Sequence, residues 1–266
     1  MTIHPTAIID PGAELDSTVV VGPCTVIEKG VRIGAGTEIG PHAHLSGATT
    51  IGVGNRIGAF TSIGAPPQDI KYKGEETRLV IGDNNIIREY CSLHRGTPSG
   101  HGVTTIGSGC MLMSYVHVAH DCIIGDHVIL VNNATMGGHV QIGERATIGG
   151  MSAVHQFSRI GEYAFVGGMS GISMDVPPYV MVAGIRNDMQ VRGINRIGLK
   201  RAGFSPEEIR KLGRAFTLIF KTKDLLLQDA LDKVVAELPD CPPVARMVEF
   251  FRVANRNVVR LSSDEE

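Results

Sequence analysis

IGAGTEIGPHAH, residues 33–44, repeats one short pattern twice: an aliphatic residue, a glycine, then four small or polar residues before the next aliphatic. Six residues separate Ile33 from Ile39, and neither ordinary secondary structure has that period. An amphipathic helix repeats its apolar face every ~3.6 residues and a half-buried strand every ~2. Counting outward by sixes gives Ile27, Val21, Leu15, Ile9 and Ile3 in one direction and Leu45, Ile51, Ile57 and Ile63 in the other. The series fails at Asp69 and Glu75 and resumes at Ile81, Ile87 and Leu93. After a second break it runs through Ile106, Leu112, Val118, Ile124, Leu130, Met136, Ile142, Ile148, Val154, Ile160, Val166 and Ile172. Such a period suits a chain that lays down a short strand, turns a corner and repeats. One aliphatic side chain per segment points inward, and Gly or Asn serves corners that need φ > 0. Three segments close a triangular coil of about 18 residues, and stacked coils bury a column of Ile, Val and Leu. The fold class is therefore mainly β, a parallel β-helix of hexapeptide repeats.

Composition agrees with a narrow interior. The 266 residues include 33 glycines, no Trp and 5% aromatics, so the core is built from small aliphatics. A formal charge of -2 and a pI near 6.6 give no global case for nucleic-acid binding. The opening MTIHPTAIID lacks a charged region followed by an apolar one, and no apolar run approaches the ~18 residues that span a bilayer. A cytoplasmic protein, not an integral membrane one, is expected. Cys24, Cys91, Cys110, Cys122 and Cys241 are odd in number and form no CxxC, so they read as reduced, mostly buried small hydrophobes.

The β-helix is expected over residues 1–190, with loop insertions at about 65–80 (APPQDIKYKGEETRLV) and 95–105 (RGTPSGHGVTT). Loops on a rigid scaffold are common carriers of binding groups. Pro177-Pro178 ends the ladder, and a C-terminal helical domain is expected over 191–266. Ser205-Pro206-Glu207-Glu208 has the form of a capping box. Three helices follow, in IRKLGRAFTLIF, LLLQDALDKVVAEL and VARMVEFFRVANRNVV, before a frayed SSDEE tail.

HVAHDC, residues 117–122, carries the chemistry. It has the composition of a metal site, of a general base with its orienting acid, or of ordinary wall residues. A coil of about 18 residues sets Gly138 over His120 and His139 over Asp121, then Gln156 beside His155, with coils ~4.8 Å apart. Val118 points inward, so His120 and Asp121 fall near a corner and face outward or along the wall. A zinc site needs a third protein ligand from another coil or subunit. General-base catalysis needs a His, an adjacent carboxylate and a donor for an oxyanion, and this column offers a candidate for each.

The ordered set QDIKYKGEETRLVIG, HRGT, HVAHDC, NNATMGGHV, GGMSAVHQF, GGMSGISMDVPPY and GLKRAGFS resembles the acyl-carrier-protein-dependent UDP-N-acetylglucosamine O-acyltransferases over nearly the whole chain. The resemblance implies a left hand for the β-helix and a homotrimer with active sites in clefts between neighbours. It implies transfer of a 3-hydroxyacyl chain from acyl carrier protein to the sugar 3-OH, the first step of lipid A biosynthesis, with no metal or redox cofactor. His120 would be the general base, Asp121 its support, and the Gly138 N–H the oxyanion donor. Gln68, Asp69, Lys71, His117, His139, His155 and Gln156 match substrate contacts, Asn195 and Arg201 match nucleotide contacts, and Gly168 matches the position that limits the acyl pocket. The repeats begin at Ile3, which leaves no space ahead of them for the extra domain of the related N-acyltransferases.

The chain departs from the family at Ile197, where some relatives have an acid, at Ala202 in place of a second Arg, and over residues 184–193 (GIRNDMQVRG), where Arg186 lies near a position often held by His. A 3-amino sugar acceptor therefore stays open. So do a zinc lyase of the γ-carbonic-anhydrase type, which shares the architecture, and a non-catalytic scaffold. Arg186, Arg192, Arg196, Lys200, Arg201, Arg210, Lys211 and Arg214 stand against Asp188, Glu207 and Glu208, a basic excess suited to an acidic carrier protein or to a solvated helical face.

Overall fold

A computed structural model of the chain describes residues 1–185, 188–222, 225–254 and 256–259. Every aliphatic residue of the six-residue series lies in a short strand, and from Val21 onward each is buried. Ile3, Ile9 and Leu15 are more exposed because no coil lies beneath the first one. The strands form three sheets, the faces of a prism, here called A, B and C in the order the chain visits them. Pairing within the coils is parallel and 18 residues apart, as in Ile3 with Val21, Ile9 with Ile27 and Leu15 with Ile33.

The two insertions lengthen two coils. Ser62 pairs with Ser92, 30 residues on, and Ser92 with His117, 25 residues on. Both loops leave the prism at the edge where face B gives way to face C. The ladder resumes at Arg78–Ile81 and Val103–Ile106, so each loop ends a few residues before the bounds expected from sequence.

Corners differ from the expectation in one respect. Gly and Asn do occupy some positive-φ positions, but Cys24, His42, Phe60, Tyr90, Tyr115, Asp121, His139, Met151, Phe157 and Met169 do as well. Repeated stacking offsets the local strain: the His42, Phe60, Tyr90 and Tyr115 rings lie nearly parallel, with centroids 4.8, 5.2 and 4.8 Å apart. Just inside the corners, small hydroxyl and thiol side chains donate to a carbonyl 15 residues ahead: Thr25 to Gly40, Thr37 to Gly52, Cys110 to Gly125, Cys122 to Gly137 and Ser152 to Gly167. Cys91, Cys110, Cys122 and Cys241 are buried and Cys24 is exposed, all as free thiols. The buried ones on the prism are corner donors as well as small apolar fillers.

An antiparallel ribbon, Val180–Ala183 with Gln190–Ile194, spans the expected boundary at 190/191. Four helices follow rather than three: α1 (Arg196–Arg201), α2 (Pro206–Phe220), α3 (Leu227–Glu237) and α4 (Pro242–Arg252). At six residues, α1 is too short for its period to register in sequence. The Ser205 capping box is present at α2. Helix α4 stops at Arg252, short of the expected Val259, because the chain returns to the prism: Asp175 N–H donates to Asn257 O and Val259 N–H to Asp175 O, both at 2.9 Å. Arg186 and the SSDEE tail lie outside the described residues.

Candidate active site

The edge between faces B and C gathers His120, Asp121, His139 and Phe157, together with both loops. Asp121, His139 and Phe157 occupy the same positive-φ corner position on successive coils, with φ of 58°, 62° and 66°. Their side chains therefore stack along the edge. The His139 ring lies on Phe157, centroids 4.4 Å apart, and meets the His120 ring edge-on at 5.1 Å.

Asp121 is fully buried, contrary to the outward or wall-facing position expected from the repeat, because the second loop folds over it. Its Oδ2 accepts from the Thr97 hydroxyl at 2.6 Å, the Thr97 N–H at 3.0 Å and His120 Nδ1 at 2.9 Å. Its Oδ1 accepts from the N–H groups of His101 and Gly102 at 2.9 and 3.1 Å. Burial pushes the carboxyl up, but the bonds from Thr97 and His120, with the nearby His139, outweigh it and hold the group below the usual carboxylate range. With Nδ1–H engaged by the carboxylate, Nε2 is the basic nitrogen of His120, and it makes no hydrogen bond among the described residues.

Gly138 sits directly over this imidazole: a Cβ there would lie 2.5 Å from His120 Cε1 and 2.7 Å from Nε2. The flanking amides are committed to the ladder, Gly137 N–H to Val154 O and His139 N–H to His120 O. The Gly138 N–H donates to no acceptor among the described residues. A basic nitrogen and a free backbone donor thus share one corner, the pairing that acyl transfer requires.

His120, Asp121 and His139 offer ligand atoms within 4.8 Å of one another, so a metal had to be weighed. Both Asp121 oxygens are already occupied by loop donors, however, and a third ligand of this set would have to break that cage. The donor set fits a base with its supporting acid. Cys122 is no part of it, since burial pushes its thiol up to about 12.

The other sequence candidates divide by position. His117 Nδ1 bonds the Ser92 hydroxyl at 2.7 Å and its ring meets His94 edge-on, while burial first and His94 second lower its pKa to about 4. His155 and Gln156 are exposed one coil above Gly138, with His155 Nδ1 bonded to Gln156 O. On the first loop Gln68 and Lys71 are exposed, and Asp69 lies close enough to His139 to favour its charged form. Arg95 ties that loop down through Gly64 O and the Tyr72 hydroxyl, and His94 does so through Pro66 O.

Gly168 and Asn195 lie elsewhere. Gly168 is on the edge between faces A and B, stacked on Gly150. Asn195 caps α1, its Oδ1 accepting from the Gly198 N–H and its Nδ2 donating to Tyr163 O on the edge between faces C and A. Arg201, at the end of α1, is exposed. One chain therefore does not bring these residues to His120. The basic excess is partly neutralised, with Arg210 and Lys211 paired to Glu207 and Arg214 to Glu237. Arg192, Arg196, Lys200 and Arg201 make no ion pair among the described residues.

Thr97, Ser92 and Phe157 were not singled out from sequence. HRGT held the first, but the insertions break the 18-residue arithmetic that would have set Thr97 beside Asp121.

Comparison with known proteins adds the following. Residues 175–259 match the family described as "Udp N-acetylglucosamine O-acyltransferase; Domain 2", and residues 104–138 match "Bacterial transferase hexapeptide (six repeats)". The acyl-[acyl-carrier-protein]–UDP-N-acetylglucosamine O-acyltransferase of Myxococcus xanthus is 49% identical over 97% of this chain and 99% of its own. Its namesake in Thermodesulfovibrio yellowstonii is 50% identical with the same coverage. LpxA from Acinetobacter baumannii superposes with a TM-score of 0.93 at 46% identity over 98% of this chain and 100% of that one. The likeness gives this β-helix the left hand of those proteins.

Proposed function

The chain belongs to the acyl-[acyl-carrier-protein]–UDP-N-acetylglucosamine O-acyltransferase family, and from that premise we propose that it moves a 3-hydroxyacyl chain from acyl carrier protein to the 3-hydroxyl of UDP-N-acetylglucosamine, opening lipid A biosynthesis. The observation that carries the mechanism is the 2.9 Å His120–Asp121 bond beneath the unused Gly138 N–H. His120 Nε2 takes the proton of the sugar 3-OH as its oxygen attacks the thioester carbonyl. Asp121 holds the ring and offsets the charge of the imidazolium. The Gly138 N–H receives the oxyanion of the tetrahedral intermediate. Collapse expels the carrier thiol, and the imidazolium returns the proton to its sulfur.

In this reading a second copy completes the site. Catalytic residues, the Gly168 groove and the Asn195–Arg201 segment lie at three different edges of the prism, so only neighbouring chains can bring them together. A homotrimer with a cleft at each contact satisfies that need with a single repeated interface. Gln68, Asp69, Lys71, His117, His139, His155 and Gln156 then line the acceptor and donor path, in the cytoplasm where the carrier protein is charged. Gly168 leaves the acyl groove open, since no side chain projects there.

The test is an assay of the purified protein with acyl carrier protein charged with 3-hydroxyacyl chains of several lengths, crossed with 3-hydroxy and 3-amino UDP-sugars. Ester formation on UDP-N-acetylglucosamine supports the proposal. Turnover of the 3-amino sugar alone would move the chain to amide formation, and turnover of neither would refute it.

A further inference from the structure

The seven extra residues of the second coil cover no groove of their own. They close on the carboxylate of Asp121. Thr97 is only 1% exposed and gives that carboxylate two donors, its hydroxyl at 2.6 Å and its N–H at 3.0 Å. Thr97 is itself fixed, because its carbonyl accepts from the N–H groups of Gly100 and Gly102 at 3.1 and 3.0 Å. Gly100 is obligatory in this turn, since a Cβ there would approach Asp121 Cγ to 2.4 Å. Thr104, where the chain rejoins face C, accepts the Asp121 N–H at 2.8 Å. The loop is thus a cage for one side chain.

Its chemical consequence concerns His120. A carboxylate whose charge is shared among several donors pulls less strongly on the imidazole than one bonded to the imidazole alone. The other titratable group facing His120 is His139, at 5.1 Å between ring centroids, with His101 and Asp69 acting on His139 in turn. We propose that Thr97 is a positioning residue for acyl transfer: its hydroxyl and N–H lock Asp121 against His120 Nδ1 and share its negative charge, which leaves the imidazole neutral between turnovers. The proposal rests on His120 being the base.

The test replaces Thr97 in the full-length enzyme and follows kcat, KM and the pH profile of kcat/KM, beside His120→Ala. Thr97→Val keeps the shape and loses the hydroxyl. It should lower kcat by roughly 10- to 100-fold with little change in KM for the sugar, and move the acid limb of kcat/KM to higher pH as more of the Asp121 charge falls on the ring. Thr97→Ser should restore both. An unmoved acid limb, a loss in KM instead of kcat, or a Ser variant that behaves like Val overturns the proposal. If Thr97→Val melts early, Thr97→Ala takes its place, and activity lost only in proportion to the unfolded fraction counts against the role. A dead His120→Ala enzyme alongside a normal Thr97→Val one sinks this proposal alone. An active His120→Ala enzyme sinks the general-base reading beneath it.

Discussion

At the scale of single residues, the site depends on what is missing as much as on what is present. Gly138 has no side chain because the imidazole of His120 occupies the space where one would sit. Gly138→Ala should leave the coil folded, since the residue does not need positive φ, yet displace the ring. Its kcat should fall roughly 10²-fold or more, as for other losses of oxyanion or base geometry, while its melting temperature stays within a few degrees of wild type. A variant with normal turnover would mean that the Gly138 contact is incidental. His117 allows a second prediction. Its folded pKa of about 4 lies below the ordinary histidine value of about 6.5, so the folded form prefers the neutral ring. The stability it contributes is fully present above pH ~6.5 and is lost as pH falls through ~4, because the unfolded chain binds the proton more readily over that window. Melting temperatures measured across that range should decline less steeply in His117→Gln than in wild type. Equal slopes would refute the assignment.

At the scale of elements, one geometric rule produces both the ladder of rings and the catalytic stack. A positive-φ residue at a given corner sends its side chain over the same residue one coil below, which aligns His42, Phe60, Tyr90 and Tyr115 on one edge and Asp121, His139 and Phe157 on another. Aromatic pairs of this kind contribute about 0.5 to 1.5 kcal/mol each. Tyr90 stacks on two rings and Tyr115 on one, so Tyr90→Ala should lower the melting temperature more than Tyr115→Ala does, and the reverse order would show that the stack is not cooperative along the edge. The six-residue period made these elements legible: Ile3 to Ile172 announce the prism, and adding 18 to His120 and Asp121 finds Gly138 and His139. The cage around Asp121 was not legible, because it is made by backbone N–H groups of a loop with no period and by a threonine 24 residues away. Helix α1 and the early end of α4 escaped for a related reason. The first is shorter than two turns, and the second is set by a tertiary pairing with Asp175 that overrides an apolar pattern.

At the scale of the whole molecule, the prism is a rigid spacer that holds three incomplete parts of a site at three edges. A single chain has the base but lacks the groove and the nucleotide contacts beside it, and assembly supplies them. Around α1 the unpaired Arg192, Arg196, Lys200 and Arg201 form the basic surface left once Glu207 and Glu237 have neutralised their neighbours. An acidic carrier protein steered by that surface should show a KM that rises with ionic strength, with the largest change near physiological salt, where the Debye length is about 8 Å. A salt-independent KM would place docking elsewhere. All three scales meet at the base, so the most direct measurement is steady-state turnover of 3-hydroxyacyl carrier protein and UDP-N-acetylglucosamine by His120→Ala. Removal of the imidazole should cost roughly 10²- to 10⁴-fold in kcat with the fold and oligomeric state unchanged, whereas near-normal turnover would contradict the account.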